Sequence, residues 1–326
     1  MKKACLVLFI GVLYLAGWYL EATAPVSRLP APRAVFIPPG TPVKEVAEIL
    51  RAEGLIRSEW AFFLEGWRLG VLDRLKAGEY ELSPDMSPAE ILRMLAEGRV
   101  ITHIVTIPEG YNVWEVAALL ERAGLLKKEE FLKKAFDENF VHSLGIPGPS
   151  VEGFLFPDTY YFVKGLSAEE IIRKMVSRFW EVWSRYEKRA EELGVSVYEV
   201  VTLASIVEKE AVLSREKPLI AAVYWNRLRR GMPLQADPTV RYALRRFHGR
   251  LYYKHLRVRS PYNTYRYPGL PPTPIANPGE ESIRAVLYPA KVPYLYFVSR
   301  GDGSHYFSTT YREHLRAVRR FRHPRK

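Results

Sequence analysis

Cysteine is nearly absent from this chain: Cys5 is the single thiol in 326 residues. One thiol excludes an internal disulfide framework and any multi-cysteine metal site. The seven histidines show no His-Glu-x-x-His or Cys/His ligand spacing, so no metal site and no cofactor are expected. Zinc-finger and RNA-recognition signatures are also missing, although the net charge is +12. That charge leaves an anionic membrane surface or an acidic polymer as the better partner classes, and no nucleic acid is expected. Basic residues gather in Arg241 to Arg259 and in the tail Arg316, Arg319, Arg320, Arg322, Arg325 and Lys326, which reads as a solvated helix face.

A long uncharged stretch occurs once, from Ala4 to Leu20, behind Lys2 and Lys3. As a helix rising about 1.5 Å per residue it covers roughly 25 Å, the short end of what spans a bilayer. Lysines before it and none directly after predict a single-pass anchor in the cytoplasmic membrane, N-terminus inside and the body outside. Trp18 and Tyr19 suit the outer headgroup level. A cleaved signal peptide with Ala22-Thr23-Ala24 as its site is the alternative. Pro25, Pro30 and Pro32 then predict a stiff extended linker. The expected division is an anchor over 1–21, a linker over 22–33, a small module over 34–102 and a larger domain over 103–326.

The chain repeats itself at an offset of 70 residues. Val35-Phe36-Ile37-Pro38-Pro39-Gly40 answers Val105-Thr106-Ile107-Pro108-Glu109-Gly110. Val43, Glu45, Val46, Ala47, Leu50 and Gly54 answer Val113, Glu115, Val116, Ala117, Leu120 and Gly124. A looser echo pairs Tyr80, Ser87, Glu90 and Ile91 with Tyr160, Ser167, Glu170 and Ile171. Each copy predicts a strand, a Pro/Gly turn, a helix closed by a C′ glycine, then a strand and a helix opened by a Ser–Glu capping box. The second copy covers 105–178. A weak likeness to LysM-like glycan-binding βααβ modules attaches to the first. Glu169 to Leu193 reads as one helix whose Phe179, Trp180 and Trp183 are core.

The chemistry concentrates after residue 200. Val201 to Ala211 is an almost wholly apolar helix that carries Glu208 and Glu210 near its end. A carboxylate in apolar surroundings has its pKa raised, which keeps it protonated for use as a general acid. At about 100° per residue the two glutamates fall roughly 80° to either side of the apolar stripe, so only one can face a given cleft. Geometry alone does not choose between them. An amphipathic helix follows over Leu219–Arg230. Asp237 precedes Pro238 and can cap the helix that begins there. The stretch Tyr267 to Gly279, with five prolines, predicts a loop of the kind that carries binding residues. Tyr and Asn in and before it offer stacking faces and hydrogen-bonding groups for a sugar polymer. A hairpin closes the pattern, with strands at Tyr294–Val298 and Ser304–Ser308.

Several segments in fixed order resemble the endolytic murein transglycosylase (YceG-like) family. They are Leu203-Ala204-Ser205-Ile206-Val207-Glu208-Lys209-Glu210, Leu234-Gln235-Ala236-Asp237-Pro238-Thr239-Val240 and Tyr262-Asn263-Thr264-Tyr265. With them go Gly269 to Pro278, Tyr294 to Val298, His305-Tyr306-Phe307-Ser308 and Glu152 to Tyr160. The resemblance covers nearly the whole chain. It implies an α+β fold: a transmembrane helix, a LysM-like module and a mainly helical catalytic domain with a small β-sheet. It also implies a peptidoglycan lytic transglycosylase that cleaves nascent strands between N-acetylmuramic acid and N-acetylglucosamine, leaving a 1,6-anhydro end. Glu210 matches the family's catalytic acid, which leaves Glu208 as a structural partner for an Arg or Lys. Tyr262 and Tyr265 are expected to position the sugar, with Gln235, Asn263, Asp237 and His305 lining the cleft. Glycan strands, the cytoplasmic membrane and peptidoglycan synthases are the implied partners. Two alternatives stay open: a muramidase using Asp237 or Glu208 as second carboxylate, and a catalytically silent glycan-binding scaffold.

Overall fold

The computed structural model describes the backbone of residues 2–322 and the side chains of 6–321. The Cys5 side chain, and Arg325 and Lys326 of the basic tail, lie outside the described residues. Contacts divide the chain into two units, 1–104 with 161–166, and 105–160 with 167–326.

The first unit begins with α1 (Lys2–Ala22) and continues through β1 (Arg33–Ile37), α2 (Val43–Ala52), α3 (Glu59–Leu69), β2 (Gly78–Leu82) and α4 (Pro88–Glu97). From β1 to β2 the order is βααβ. The two strands pair antiparallel, Arg33 opposite Leu82 and Ile37 opposite Gly78. Val35, Ile37, Leu50, Phe62, Tyr80, Ile91 and Leu95 fill one core beneath them. Ser87 opens α4 with the reciprocal Ser–Glu bonds expected of its sequence, an arrangement worth about 1 kcal/mol. The proline segment is not a free spacer. Arg57 donates to the carbonyls of Pro25 and Val26, Ser27 N–H to Pro84, and Ala31 N–H to the Ser83 hydroxyl. These bonds hold it against the module.

The N-terminal apolar run forms α1 as expected, with Leu6, Val7, Leu8, Phe9, Ile10 and Leu13 all exposed. As to the expected span, no helix among the described residues is long and apolar enough to cross a membrane.

The second copy of the repeat keeps the strand and helix order of the first and adds one short helix before its second strand. It runs β3 (Thr102–Thr106), α5 (Val113–Arg122), α6 (Lys128–Ala135), α7 (Glu138–Ser143), β4 (Thr159–Val163) and α8 (Ala168–Trp183). The division between the units falls within β3 and β4, which pair with each other. Gly54 and Gly124 both take the left-handed conformation just past their helices, the C′ role the repeat predicted. The single helix expected over 169–193 is instead α8 and α9 (Glu187–Leu193), because the chain leaves the helix after Ser184. Phe179 and Trp183 are core, and half-buried Trp180 donates its indole N–H to the Leu144 carbonyl.

The rest of the second unit is built around α10 (Val197–Glu210). Val200 through Val207 are all buried, so this helix is enclosed on every side. It packs against α9, α11 (Lys217–Arg229), α12 (Asp237–Ala243) and α13 (Glu280–Leu287). The hairpin β5 (Tyr296–Ser299) and β6 (His305–Ser308) begins two residues later than expected, and α14 (Tyr311–Arg322) follows. The proline-rich stretch is largely core: Pro271 and Thr273 through Gly279 are buried. Prolines bring no N–H to satisfy. Ile275 N–H finds the Ser205 hydroxyl, Asn277 N–H the Tyr111 carbonyl and Gly279 N–H the Glu208 carboxylate. Gly153 lets the chain pass here; a Cβ on it would lie 2.5 Å from Pro274 and 2.8 Å from Val201.

Candidate active site

The last turn of α10 presents its two carboxylates to different surroundings. Glu208 turns toward α13. Lys217 Nζ lies 3.2 Å from both of its oxygens, Gly279 N–H donates to it at 3.0 Å and the Ser282 hydroxyl at 2.6 Å. Its side chain is 8% exposed and that of Lys217 5%. Both oxygens are engaged by the fold in a buried setting, which turns this carboxylate away from a substrate. Glu109, 3.5 Å from the same ammonium, has its pKa raised by burial and by the nearby Glu208 charge.

Glu210 turns the other way, into a cleft of about 730 Å³. Tyr224, Arg227, Leu234, Gln235, Asp237, Tyr265 and His305 line it, as do Tyr252, Tyr253, Tyr311 and His314. Burial pushes the Glu210 carboxyl up to about 7, and the Asp237 charge adds to the rise. Tyr224 on the cleft wall, with the charges of Arg227 and Arg241, moderates the rise. A carboxyl poised there is protonated in a substantial fraction at neutral pH, and its conjugate base is a competent proton acceptor.

The supporting groups come from distant parts of the chain. On α11, Tyr224 and Arg227 stand one turn apart and both are buried. Arg227 is held by the carbonyls of Leu295 at 2.7 Å and Leu234 at 2.7 Å, so its charge is fixed rather than mobile. Burial lowers its pKa. Asp237 is the first residue of α12 rather than its cap. Its side chain makes no capping bond and instead accepts the Tyr265 hydroxyl at 2.6 Å. Gln235, with φ at 51°, holds a left-handed conformation that costs a non-glycine residue energy and aims this loop at the cleft. His305 Nδ1 lies 2.7 Å from buried Glu216, whose oxygens also accept the His305 backbone N–H at 3.1 Å.

Two expected sugar-binding residues are not in the cleft. Tyr262 packs its ring 5.0 Å from Tyr242 and bonds the Thr273 hydroxyl at 2.9 Å. Asn263 is fully buried and donates to the carbonyls of Leu256 and Val258, while its oxygen accepts Tyr265 N–H. Both build the turn that delivers Tyr265. Tyr224, Arg227 and Glu216 escaped the sequence reading: Glu216 sits in the charged run Ser214-Arg215-Glu216-Lys217 and Arg227 beside Asn226 and Arg229, where one more polar residue carries no signal. Glu152 was quoted only as part of a motif. It is wholly buried, accepts Val113 N–H at 3.2 Å and the Tyr242 hydroxyl at 3.1 Å, and burial pushes it up to about 8. Among the described residues no group of three or more acidic, histidine or cysteine side chains could hold a metal ion.

A profile of the YceG-like family matches residues 35–320. The endolytic murein transglycosylase of Bacillus subtilis is 35% identical over 303 residues, 88% of this chain and 84% of that protein. The endolytic murein transglycosylase of Streptococcus pneumoniae is 30% identical over 316 residues, 87% of this chain but 57% of that longer protein. The 2.6 Å crystal structure of a yceG-like protein from Listeria monocytogenes superposes with a TM-score of 0.61 at 37% identity, covering 89% of this chain and 100% of that one.

Proposed function

Since this chain belongs to the YceG-like family, we propose that it is a peptidoglycan lytic transglycosylase in which Glu210 is the acid and then the base. The observation that carries the reading is a single carboxyl, Glu210, held near pH 7 by burial inside an open cleft. The names of its relatives supply the substrate class.

Glu210 donates its proton to the oxygen joining C1 of N-acetylmuramic acid to N-acetylglucosamine. As that C1–O bond breaks, positive charge develops at C1 and the ring oxygen. The muramic acid 6-hydroxyl attacks C1 and passes its proton back to the Glu210 carboxylate. A 1,6-anhydro end forms, no water is consumed and the acid is restored. Tyr224 shares the cleft wall with the carboxyl and moderates its acidity, and the Asp237 charge beside it stabilises the oxocarbenium-like centre.

The finer reading is an endolytic enzyme that is anchored in the cytoplasmic membrane, cuts nascent strands and so terminates their elongation beside the synthases. The exposed, uncharged character of α1 from Leu6 to Leu20 supports the anchor, because a helix apolar on all sides is stable only when buried or in lipid. A run this short is accommodated by local thinning of the bilayer. Release of the full chain from membranes by alkaline carbonate counts against the anchor. Repeated failure to co-purify with peptidoglycan synthases counts against that partnership. Glycan binding by the βααβ module would show as loss of strand binding when residues lining its hollow, such as Thr41, are replaced.

Asp237 beside Glu210 favours one second reading, a two-carboxylate hydrolase. Mass spectrometry of products from uncrosslinked glycan strands separates the cases. Anhydromuramic ends that disappear with Glu210→Gln are expected. Reducing ends, heavier by one water, would move the enzyme to the hydrolases. No new ends at all would leave a glycan-binding scaffold.

A further inference from the structure

A stripe of large apolar side chains lies open on α3. Trp60, Leu64 and Trp67 stand at i, i+4 and i+7, one face of the helix, and are 75%, 45% and 79% exposed. Phe63 extends the stripe, its ring centroid 6.4 Å from that of Trp60. The opposite face is the one that packs, through Ala61, Phe62 and Gly66. Two open indoles and a leucine in a row form the kind of patch that marks an interaction surface rather than ordinary solvent exposure.

Two features of the same unit indicate what covers it. First, α3 is tied to the last turns of α1: the Tyr19 hydroxyl donates to Glu65, which Arg68 also grips. Any side of α3 near Glu65 therefore lies within about one helix diameter, 10–12 Å, of the point where α1 ends. Second, cations flank the stripe. Arg57 precedes α3 and is anchored on Pro25 and Val26, Arg68 is 58% exposed, and Arg74 follows on the Gly70 carbonyl. The acidic residue at the start of α3, Glu59, is engaged by Arg51 at 3.2 Å. Tryptophan favours the headgroup level of a bilayer, and arginine is the side chain best shaped to pair with phosphate there.

We propose that the Trp60–Leu64–Trp67 face of α3 rests in the outer headgroup layer of the membrane that holds α1, its arginines on lipid phosphates. The proposal rests on the reading of α1 as an anchor. It makes the first unit a membrane-seated collar rather than a spacer, with its height and tilt set by α3. The βααβ core stays intact in this arrangement, since none of its buried residues is withdrawn.

The test is tryptophan fluorescence of the full chain reconstituted into phosphatidylcholine–phosphatidylglycerol vesicles brominated near the top of the acyl chains. The Trp60→Phe/Trp67→Phe double variant is compared with wild type, and Trp18→Phe reports on the anchor. Bromolipid is expected to quench wild type strongly, and the double variant is expected to lose the larger part of that quenching. Unchanged quenching in the double variant, with the Trp18 contribution intact, would overturn the proposal while leaving the anchor standing. Release of wild type from the vesicles by alkaline carbonate would fail the anchor and the proposal together. Fluorescence of Trp60 and Trp67 that responds to added glycan strands but not to bromolipid would also overturn it, making the stripe a sugar platform.

Discussion

The two sides of the last turn of α10 carry the same side chain and use it in opposite ways. On the α13 side Glu208 is bound by Lys217, Gly279 and Ser282 and serves as a joint of the fold. On the cleft side Glu210 has no charged partner or backbone donor among the described residues, only Tyr224 and the Asp237 charge nearby, and burial holds its carboxyl up to about 7. Residue type and helix are constant across the pair, so the difference is set by what surrounds each carboxyl. A buried carboxylate given enough donors becomes structure; one left short of them becomes an acid.

The largest expected break in that comparison is Glu210→Gln. Loss of the acid should lower turnover on glycan strands by about 10³-fold, within the range general acids supply, with folding intact. Its stability has a sign of its own. A carboxyl whose pKa is raised by folding stabilises the native state below its ordinary pKa, and that contribution is lost as pH rises through about 7. The Gln variant should therefore melt no lower than wild type at pH 8, as calorimetry would show.

Glu208→Gln should do the reverse. It leaves Lys217, whose side chain is 5% exposed, with only the more exposed Glu109 and Glu281 as counter-charges. Breaking a buried pair in this way costs about 3 kcal/mol, read as a lower midpoint in urea, while activity per folded molecule persists. Unchanged stability would remove Glu208 from its structural role.

The tyrosines of the turn sharpen the contrast further. Tyr265→Phe removes the hydroxyl that bonds Asp237 in the cleft. A hydrogen bond to a charged group is worth about 1.5 kcal/mol, so kcat/KM should fall about tenfold. Tyr262→Phe removes only the bond to Thr273. It should cost about 1 kcal/mol of stability and leave kcat/KM unchanged.

Local signals in the sequence carried over well into structure. Ser87 and Ser167 each open a helix with the capping box their third residue implied, and Ser196 adds a third that the sequence reading did not single out. The duplicated strand and helix order stands, and the wheel separation of Glu208 and Glu210 corresponds to two different environments. What was hidden depends on partners far along the chain. Asp237 looks like a cap until Tyr265 is brought to it, and Asn263 looks like a sugar ligand until the carbonyls of Leu256 and Val258 take its amide. His305 gains its orientation from Glu216, 89 residues earlier. The proline-rich stretch read as a loop carrying binding residues because composition reports the lack of helix and strand, not whether Ser205 and Tyr111 accept donors from a buried segment.

The central claim is that Glu210 works as a protonated acid whose pKa is set by burial and by Asp237. The most direct measurement is the pH dependence of kcat/KM on isolated glycan strands, for wild type and for Asp237→Asn. Activity should fall along an alkaline limb near pH 7 in wild type, where Glu210 loses its proton. Removal of the Asp237 charge takes away a cause of the rise, so the limb should move to lower pH in the variant. An alkaline limb that stays in place without Asp237, or activity that is flat from pH 6 to 9, would contradict the account.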